Sequence, residues 1–301
     1  MSTIQPHVSP VQIESDLTML FDGEWQGTVE SLHKAAWIPQ DKLARLSTAV
    51  LEENWGRNRW VLKKYLAIYV GLAITQRRFA YHEGRLVLSA GHLQTRYGTP
   101  VYLSFEKNNR PEFTQPLYLQ YVGDKPNVPQ LPQPPELPIW PSIPTGAEIV
   151  IAHDHILEKH QERVAFLGGT PRVAQMCALA GAIQWSLFRD LAIRQLYLGV
   201  PSYFVPVYLR SREDITQAPD LIAPVQVQGE RLYVRTALEP YMGYALARVV
   251  AKRHDQLPTW LIAAWHDRAD EEGAATLEDV EREELASPQS DGKVNTHLSN
   301  G

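Results

Sequence analysis

Residues 170–199 read TPRVAQMCALAGAIQWSLFRDLAIRQLYLG. Apolar residues recur here every three or four positions, which predicts a single helix about 40 Å long at ~1.5 Å per residue. Thr170 followed by Pro171 is typical of a helix start, and Gly199 is typical of a helix end. Charged and amide side chains interrupt the pattern, which excludes a membrane span. We therefore predict that this long helix is the central element of the core.

The rest of the chain has the composition of a globular protein. It contains 301 residues, of which 44% are hydrophobic and 21% charged. Residues 1–10 are polar and lack the apolar run of a secretory signal. The single cysteine, Cys177, excludes an internal disulfide and favours a reducing, cytoplasmic location. Its apolar neighbours predict a small core residue rather than a reactive thiol.

Shorter patterns on both sides of the long helix predict the other elements. They predict helices at 29–34, 40–53, 59–75 and from Pro240 to about Lys252, and strands at 85–90, 100–105, 116–122, 149–151, 202–209, 221–227 and 232–237. We predict a single α+β domain over residues 16–266, with N-terminal helices and antiparallel strands packed on the long central helix. Residues 1–15 are predicted to be disordered, and residues 267–301 to form an acidic, largely disordered tail. Eight prolines between residues 125 and 144 exclude a helix and predict an extended surface segment, either a flexible linker or a packed strap, and its apolar residues favour the strap.

The net charge of −5 is unevenly distributed. Residues 267–301 carry ten acids and three bases, a net charge of −7, so the remaining residues carry +2. Residues 57–98 contain eight bases, interleaved with aromatic residues, and a single acid. Bases with aromatic residues suit single-stranded nucleic acid or a nucleotide, since they neutralise phosphates and stack on bases. The candidate nucleic-acid surface is Arg57, Arg59, Lys63, Lys64, Arg77 and Arg78. The alternative is a helix whose aromatic residues lie in the core and whose bases face solvent.

Phosphate-binding loops, dinucleotide fingerprints, nucleophile elbows and paired-cysteine zinc spacings do not occur in the sequence. Polar residues concentrate instead around His153, Asp154 and His155. Histidines with carboxylates can act as acid and base or bind a metal, and on a strand His153 and His155 would share one face. No metal is expected, but any metal would bind at these three residues. The alternative is a solvated surface loop.

Two further clusters favour anions. Gly168, Gly169, Thr170 and Arg172 surround the start of the long helix, where backbone N–H groups attract phosphate, although a turn that only caps the helix has the same composition. Tyr241, Tyr244 and Arg248 share one face of the helix that begins at Pro240. Arg248 suits a phosphate or carboxylate ligand, or an ion pair with a buried acid.

Several ordered motifs make residues 43–262 resemble an uncharacterised, mainly microbial family, the domain of unknown function 3825. The motifs are Leu51 to Trp55, Leu62 to Leu66, Leu86 to Gly91, Asp154 to Leu157 with Arg163, Val200 to Val207, Tyr233 to Arg248 and Trp260-Leu261. At two positions where the family usually has amide side chains, this chain has Ser89 and Leu246. Some family members are joined to small helical domains thought to bind RNA, which implies an RNA partner here.

These observations predict a protein that binds RNA or a phosphate-bearing nucleotide. Arg163 and Arg248 would hold the anion, together with Tyr244 and the glycine-rich turn, and His155 with Asp154 would lie beside it. One alternative is a phosphoester-processing enzyme that uses His155 as general acid or base, assisted by Asp154. Another is a scaffold that uses its acidic tail. No cofactor, membrane contact or oligomeric state is indicated.

Overall fold

The structure, a computed structural model, describes residues 27–197 and 200–268. The predicted disordered segment 1–15 and all but the first two residues of the tail 267–301 lie outside the described residues. None of the helices within this range is long and apolar enough to cross a bilayer.

The described chain alternates short helices with two groups of strands. The helices are α1 (Val29–Ala35), α2 (Gln40–Ala49), α3 (Trp60–Thr75), α4 (Arg172–Phe188), α5 (Tyr244–Val250) and α6 (Thr259–Arg268). The strands are β1 (Ala36–Trp37), β2 (Phe79–His82), β3 (Arg85–Gln94), β4 (Pro100–Lys107), β5 (Leu117–Gly123), β6 (Glu148–Ile151), β7 (Ile193–Tyr197), β8 (Val200–Val207), β9 (Leu221–Gln228) and β10 (Arg231–Val234).

The strands form two five-stranded sheets, in the orders β1-β5-β4-β3-β2 and β6-β10-β9-β8-β7. Pairing is antiparallel throughout except for one parallel edge pair in each sheet, β1 with β5 and β6 with β10. Helices and mainly antiparallel sheets confirm the predicted α+β class. The predicted meander of β3, β4 and β5 is confirmed, but β2 and β1 were not predicted.

Helix α3 lies at the centre of the larger core cluster. Of its 16 residues, 13 are buried, because apolar side chains occupy its whole circumference rather than one stripe. The same cluster contains Leu196, Phe204 and Ile222 from the second sheet, and Leu246 and Trp260 from α5 and α6. A second, smaller cluster lies between α4 and β6, β8, β9 and β10.

The prediction of a central helix over residues 170–199 is wrong. Helix α4 ends at Phe188, and Asp190 has φ +55°, which no regular helix contains. The chain then forms β7, which pairs antiparallel with β8. Only four residues of α4 are buried. It therefore covers one face of the second sheet, and α3 takes the central place.

Two local predictions made for that helix are also wrong. The N-cap is Pro171 rather than Thr170, and no side chain caps the helix. Cys177 is exposed rather than part of the core, because it lies on the outer face of α4. Helix α2 likewise ends at Ala49 instead of continuing to Glu53, which lies in the loop before α3.

The proline-rich segment 125–144 has neither helix nor strand and contacts both sheets. Near the first sheet, Gln76 exchanges two hydrogen bonds with the backbone of Glu136, and Arg78 donates to the Pro134 carbonyl. Near the second sheet, the Trp140 indole donates to the carbonyls of Gln195 and Ser202. The segment is therefore a packed strap that links the two sheets.

Removal of residues 270–301 is expected to leave the melting temperature within about 4 °C of the full chain. The deleted segment contains five large apolar residues, too few to supply a large share of a core, and these are Leu277, Val280, Leu285, Val294 and Leu298. Thermal melts followed by circular dichroism measure the difference. A truncation before Thr259 is the control, since it also removes the buried Trp260, Leu261 and Trp265 and should unfold the protein. A much larger drop for the shorter deletion would show that the tail packs on the body.

Candidate functional site

A cleft of about 460 Å³ lies between the end of α3 and the strap. Residues 77–80 line one side and residues 130–133 the other. The lining contains two consecutive arginines, Arg77 and Arg78, the aromatic ring of Phe79 and two amide side chains, and none of these lining residues is acidic. The cleft therefore brings two arginines, an aromatic residue and hydrogen-bonding amides together around one open space.

The backbone and the strap position the two arginines. Arg77 has φ +53°, and the N–H of Arg78 donates to the Ala73 carbonyl, so the chain turns sharply from α3 into β2. Arg77 is exposed. The Arg78 guanidinium contacts the Glu136 carboxylate and the Pro134 carbonyl of the strap. Arg78 thus holds the wall of the cleft, while Arg77 is the more accessible cation.

The other bases of the predicted nucleic-acid surface are dispersed. Arg57, Arg59 and Lys63 lie at the start of α3, about 24 Å from Arg77 and Arg78 given ~1.5 Å per residue. Arg59 donates to the Ser47 hydroxyl. Lys64 is only 1% exposed, so its assignment to a surface is wrong. Four aromatic residues of this region, Trp55, Trp60, Tyr65 and Tyr69, are buried in the core and are not a stacking platform.

Arg248 and Tyr244 belong to a buried ion-pair cluster. The Glu53 carboxylate accepts from Arg248 Nε at 2.7 Å and from the Tyr244 hydroxyl at 2.8 Å. The side chains of Arg248 and Glu53 are 4% and 1% exposed. Burial lowers the pKa of Arg248, but Glu53, Tyr65 and Tyr244 together raise it by more, so its pKa lies above the ordinary value. This geometry matches the alternative of an ion pair with a buried acid.

Aromatic side chains enclose this pair on several sides. The Arg248 guanidinium carbon lies 5.5 Å from the Trp55 ring centroid and 5.4 Å from that of Tyr65. The Tyr244 ring stacks on Trp265, whose indole donates to the Asn54 carbonyl. Burial and the nearby Glu53 raise the pKa of Tyr244, so its hydroxyl stays protonated and donates. The charge of Arg248 is paired with Glu53, and its Nη1 donates to the Ala251 carbonyl, which leaves Arg248 unsuited to a phosphate ligand.

The predicted His153–Asp154–His155 cluster does not lie on a strand. His153 and Asp154 follow β6 in a helical turn, and His155–Lys159 is a π-helix turn. The His155 ring packs edge-on against His160, while Asp154 and Glu158 both contact Arg172. Because Asp154 is held by Arg172, the geometry does not support it as the partner of His155 in acid–base catalysis.

Neither the metal alternative nor the anion site at the start of α4 is supported by this arrangement. Within residues 27–197 and 200–268, no group of three or more His, Cys, Asp or Glu side chains is placed to hold a metal ion. The site at His153, Asp154 and His155 is therefore not formed. Arg172, the cation expected beside Gly168, Gly169 and Thr170, is already engaged by two carboxylates. Those carboxylates also place negative charge near the helix start, which disfavours a further anion.

Arg163 and Arg248, predicted to converge, have separate partners. Arg163 is buried against the smaller core cluster, donates from Nη1 to the Ala237 carbonyl and lies 3.6 Å from Glu162. Arg248 lies in the larger cluster with Glu53. Sequence reasoning missed Glu53 as the partner of Arg248 and residues 130–133 as a wall of the cleft. For residues 130–133, the signal in the sequence was limited to the apolar residues among the prolines of the strap.

Comparisons of the chain with models of known protein families, with curated proteins and with solved structures find no match. The resemblance to the domain of unknown function 3825 therefore stays a prediction from its motifs. The function has to be inferred from the chain's own residues.

Proposed function

We propose that this protein binds a phosphate-bearing ligand, a nucleotide or a nucleotide unit of RNA, in the cleft between residues 77–80 and 130–133. The observation that carries the proposal is the pair of consecutive arginines beside an aromatic ring in a cleft lined by no acidic residue. Arginine recognises phosphate through several parallel N–H donors. Phe79 offers a face on which a base can stack.

The size and the remaining lining support a ligand of this class. Small-molecule pockets span about 300–1,000 Å³, and the cleft volume of about 460 Å³ lies within that range. Gln130 and Gln133 carry both donors and acceptors, as the edges of nucleobases require. Arg163 and Arg248, the anion ligands predicted from sequence, do not line this cleft, and Arg248 is paired with Glu53, so Arg77 and Arg78 take their place in this proposal.

Two versions of the ligand remain, a short RNA strand and a free nucleotide. A strand that also reached Arg57 and Lys63 would have to span the length of α3, about 24 Å. The implied RNA partner of the resembling family agrees with the first version. The phosphoester-processing alternative has no comparable support, because Asp154 is held by Arg172.

Replacement of Arg77 by asparagine is expected to weaken binding of a fluorescent ten-nucleotide oligouridine about tenfold at low salt. The change removes one phosphate-binding charge, and asparagine tolerates the positive φ of this position. The slope of log affinity against log salt should fall by about one unit, as expected for one lost phosphate contact. Fluorescence anisotropy titrations at several salt concentrations give both quantities, and uridine monophosphate as competitor tests the nucleotide version.

Arg96→Asn is the matched control. It removes the same charge from an exposed residue in the turn between β3 and β4, outside the cleft, and should change affinity less than twofold. Equal losses for the two variants would show that binding depends on overall charge and not on the cleft. If neither oligouridine nor uridine monophosphate binds at low salt, the proposal is wrong.

A further inference from the structure

The carboxyl ends of β6 and β10 bring two polar residues to neighbouring positions. These strands pair in parallel, and the last paired residues are Ile151 and Val234. The Ala152 N–H continues the ladder by donating to the Val234 carbonyl at 2.9 Å. His153 and Thr236 each lie two residues beyond the last pair, so both lie just outside the same end of the two strands.

Each of these residues buries a polar atom that has no hydrogen-bond partner in the structure. The atoms are His153 Nδ1 and Thr236 Oγ1, and Thr236 is fully buried. A buried donor or acceptor without a partner destabilises the fold, and such groups are rare in native proteins. Because the two residues follow adjacent strands, one ligand at this edge of the sheet would supply a partner to both.

A backbone irregularity sets the position of Thr236. Val234 pairs with Val225 of β9, and Leu238 forms two hydrogen bonds with Ile222. The segment from Val234 to Leu238 therefore advances by four residues (238 − 234), whereas the opposite segment of β9 advances by three (225 − 222). The extra residue is a bulge, which in many proteins redirects a side chain next to a functional site.

Arg163 supplies positive charge beside Thr236. Its side chain is 5% exposed, and Nη1 donates to the carbonyl of Ala237, the residue after Thr236, at 3.1 Å. A guanidinium carries five N–H groups, more than this bond and the contact with Glu162 use. Glu162 is 65% exposed and lies 3.6 Å from Arg163 Nε, so a bound anion could displace it towards solvent.

We propose that His153, Thr236 and Arg163 form a binding site for a small oxyanion, a carboxylate or a phosphate group, separate from the cleft at Arg77 and Arg78. The Thr236 hydroxyl and the Arg163 guanidinium donate to the anion oxygens, and His153 donates through Nδ1–H. Burial lowers the pKa of His153 and Arg172 lowers it further, so His153 is neutral at pH 7 and Arg163 provides the positive charge. This inference does not depend on the proposed function.

The test compares the wild-type chain with Thr236→Val, which keeps the shape but removes the hydroxyl, and with Thr236→Ser, which keeps the hydroxyl. Melting temperatures are measured in increasing sodium acetate or sodium phosphate, with sodium chloride at matched ionic strength as reference. In the wild type, at least one oxyanion should raise the melting temperature above the chloride reference and saturate. Thr236→Val should lower the affinity for that anion about tenfold, which corresponds to the loss of one hydrogen bond to a charged group. Thr236→Ser should lower it less than threefold.

A second measurement separates ligand binding from a structural role. Without oxyanion, Thr236→Val should melt at or above the wild-type temperature, because it removes a buried hydroxyl that lacks a partner. Saturation by acetate assigns the site to carboxylates, and saturation by phosphate alone assigns it to phosphate groups. Absence of any oxyanion-specific shift in the wild type, or equal affinity in Thr236→Val, overturns the proposal. An oxyanion-specific shift in melting temperature that is lost in Arg77→Asn but kept in Thr236→Val also overturns the proposal, because it places the anion in the cleft.

Discussion

Replacement of Glu53 by glutamine is expected to lower the free energy of unfolding by about 3–5 kcal/mol, because it leaves a buried arginine charge without its counterion. Arg248 is 4% exposed and has its short ion pair with Glu53, at 2.7 Å. Glutamine keeps the volume and one acceptor oxygen, so the loss reports on charge rather than on packing. Equilibrium denaturation in guanidinium chloride measures the change.

Glu148→Gln provides the control for this prediction. Glu148 and Arg231 also form an ion pair at 2.8 Å, but their side chains are 63% and 55% exposed. Solvent screens such pairs, and the expected loss is about 0–1 kcal/mol. Adding Arg248→Met to Glu53→Gln should recover part of the stability, because it removes the stranded charge. Similar losses for Glu53→Gln and Glu148→Gln would contradict the assignment of a buried, tightly coupled pair.

Alanine at Gly91 is expected to cost about 2–5 kcal/mol of stability, the sum of left-handed strain and a steric clash. Gly91 has φ +67°, and a Cβ atom there would lie 2.2 Å from Cδ1 of Tyr69. The Tyr69 ring cannot easily move, because it stacks on Tyr65 and its hydroxyl donates to the Val249 carbonyl.

Gly98→Ala isolates the clash from the strain. Gly98 has a similar φ of +74°, but a Cβ atom there would have nothing within 4 Å. Its expected loss is therefore the strain alone, about 1–2 kcal/mol. Urea denaturation of both variants gives the difference. If Gly98→Ala costs as much as Gly91→Ala, the close approach of Tyr69 is not what requires glycine at position 91.

Local sequence patterns were sufficient to predict most of the fold, because the spacing of apolar residues and the turn residues indicate where helices and strands begin and end. The α+β class, the helix that ends at Thr75 and the strands around Leu103 and Leu119 all follow from spacing and turn residues. The helix over 170–199 failed for a physical reason. Residues 193–197 continue a helical spacing, but pairing of Ile193 with Phe204 and of Leu196 with Pro201 stabilises a strand instead. Spacing within one segment carries no information about such a partner.

The candidate sites were harder to predict than the fold because they depend on contacts between distant segments. The pairing of Arg248 with an acid was anticipated as an alternative, but the acid lies 195 positions away. The cleft needs both the turn at Arg77 and the strap at Gln130, and no local pattern joins them. Arg77 and Arg78 were candidates from sequence because residue type alone marks cations near aromatic residues, and their binding of a ligand stays a prediction.

The contribution of α5 and α6 to the larger core has a consequence for synthesis of the chain. Trp265 donates to the Asn54 carbonyl across 211 positions, and Leu246, Trp260 and Leu261 pack into the cluster around α3. At translation rates of about 5–20 residues per second, α3 leaves the ribosome roughly 10–40 s before these partners. During that interval its apolar surface has no native cover from the C-terminal helices. The larger core can therefore close only after α6 has emerged, and until then the nascent chain exposes apolar segments of the kind that chaperones bind.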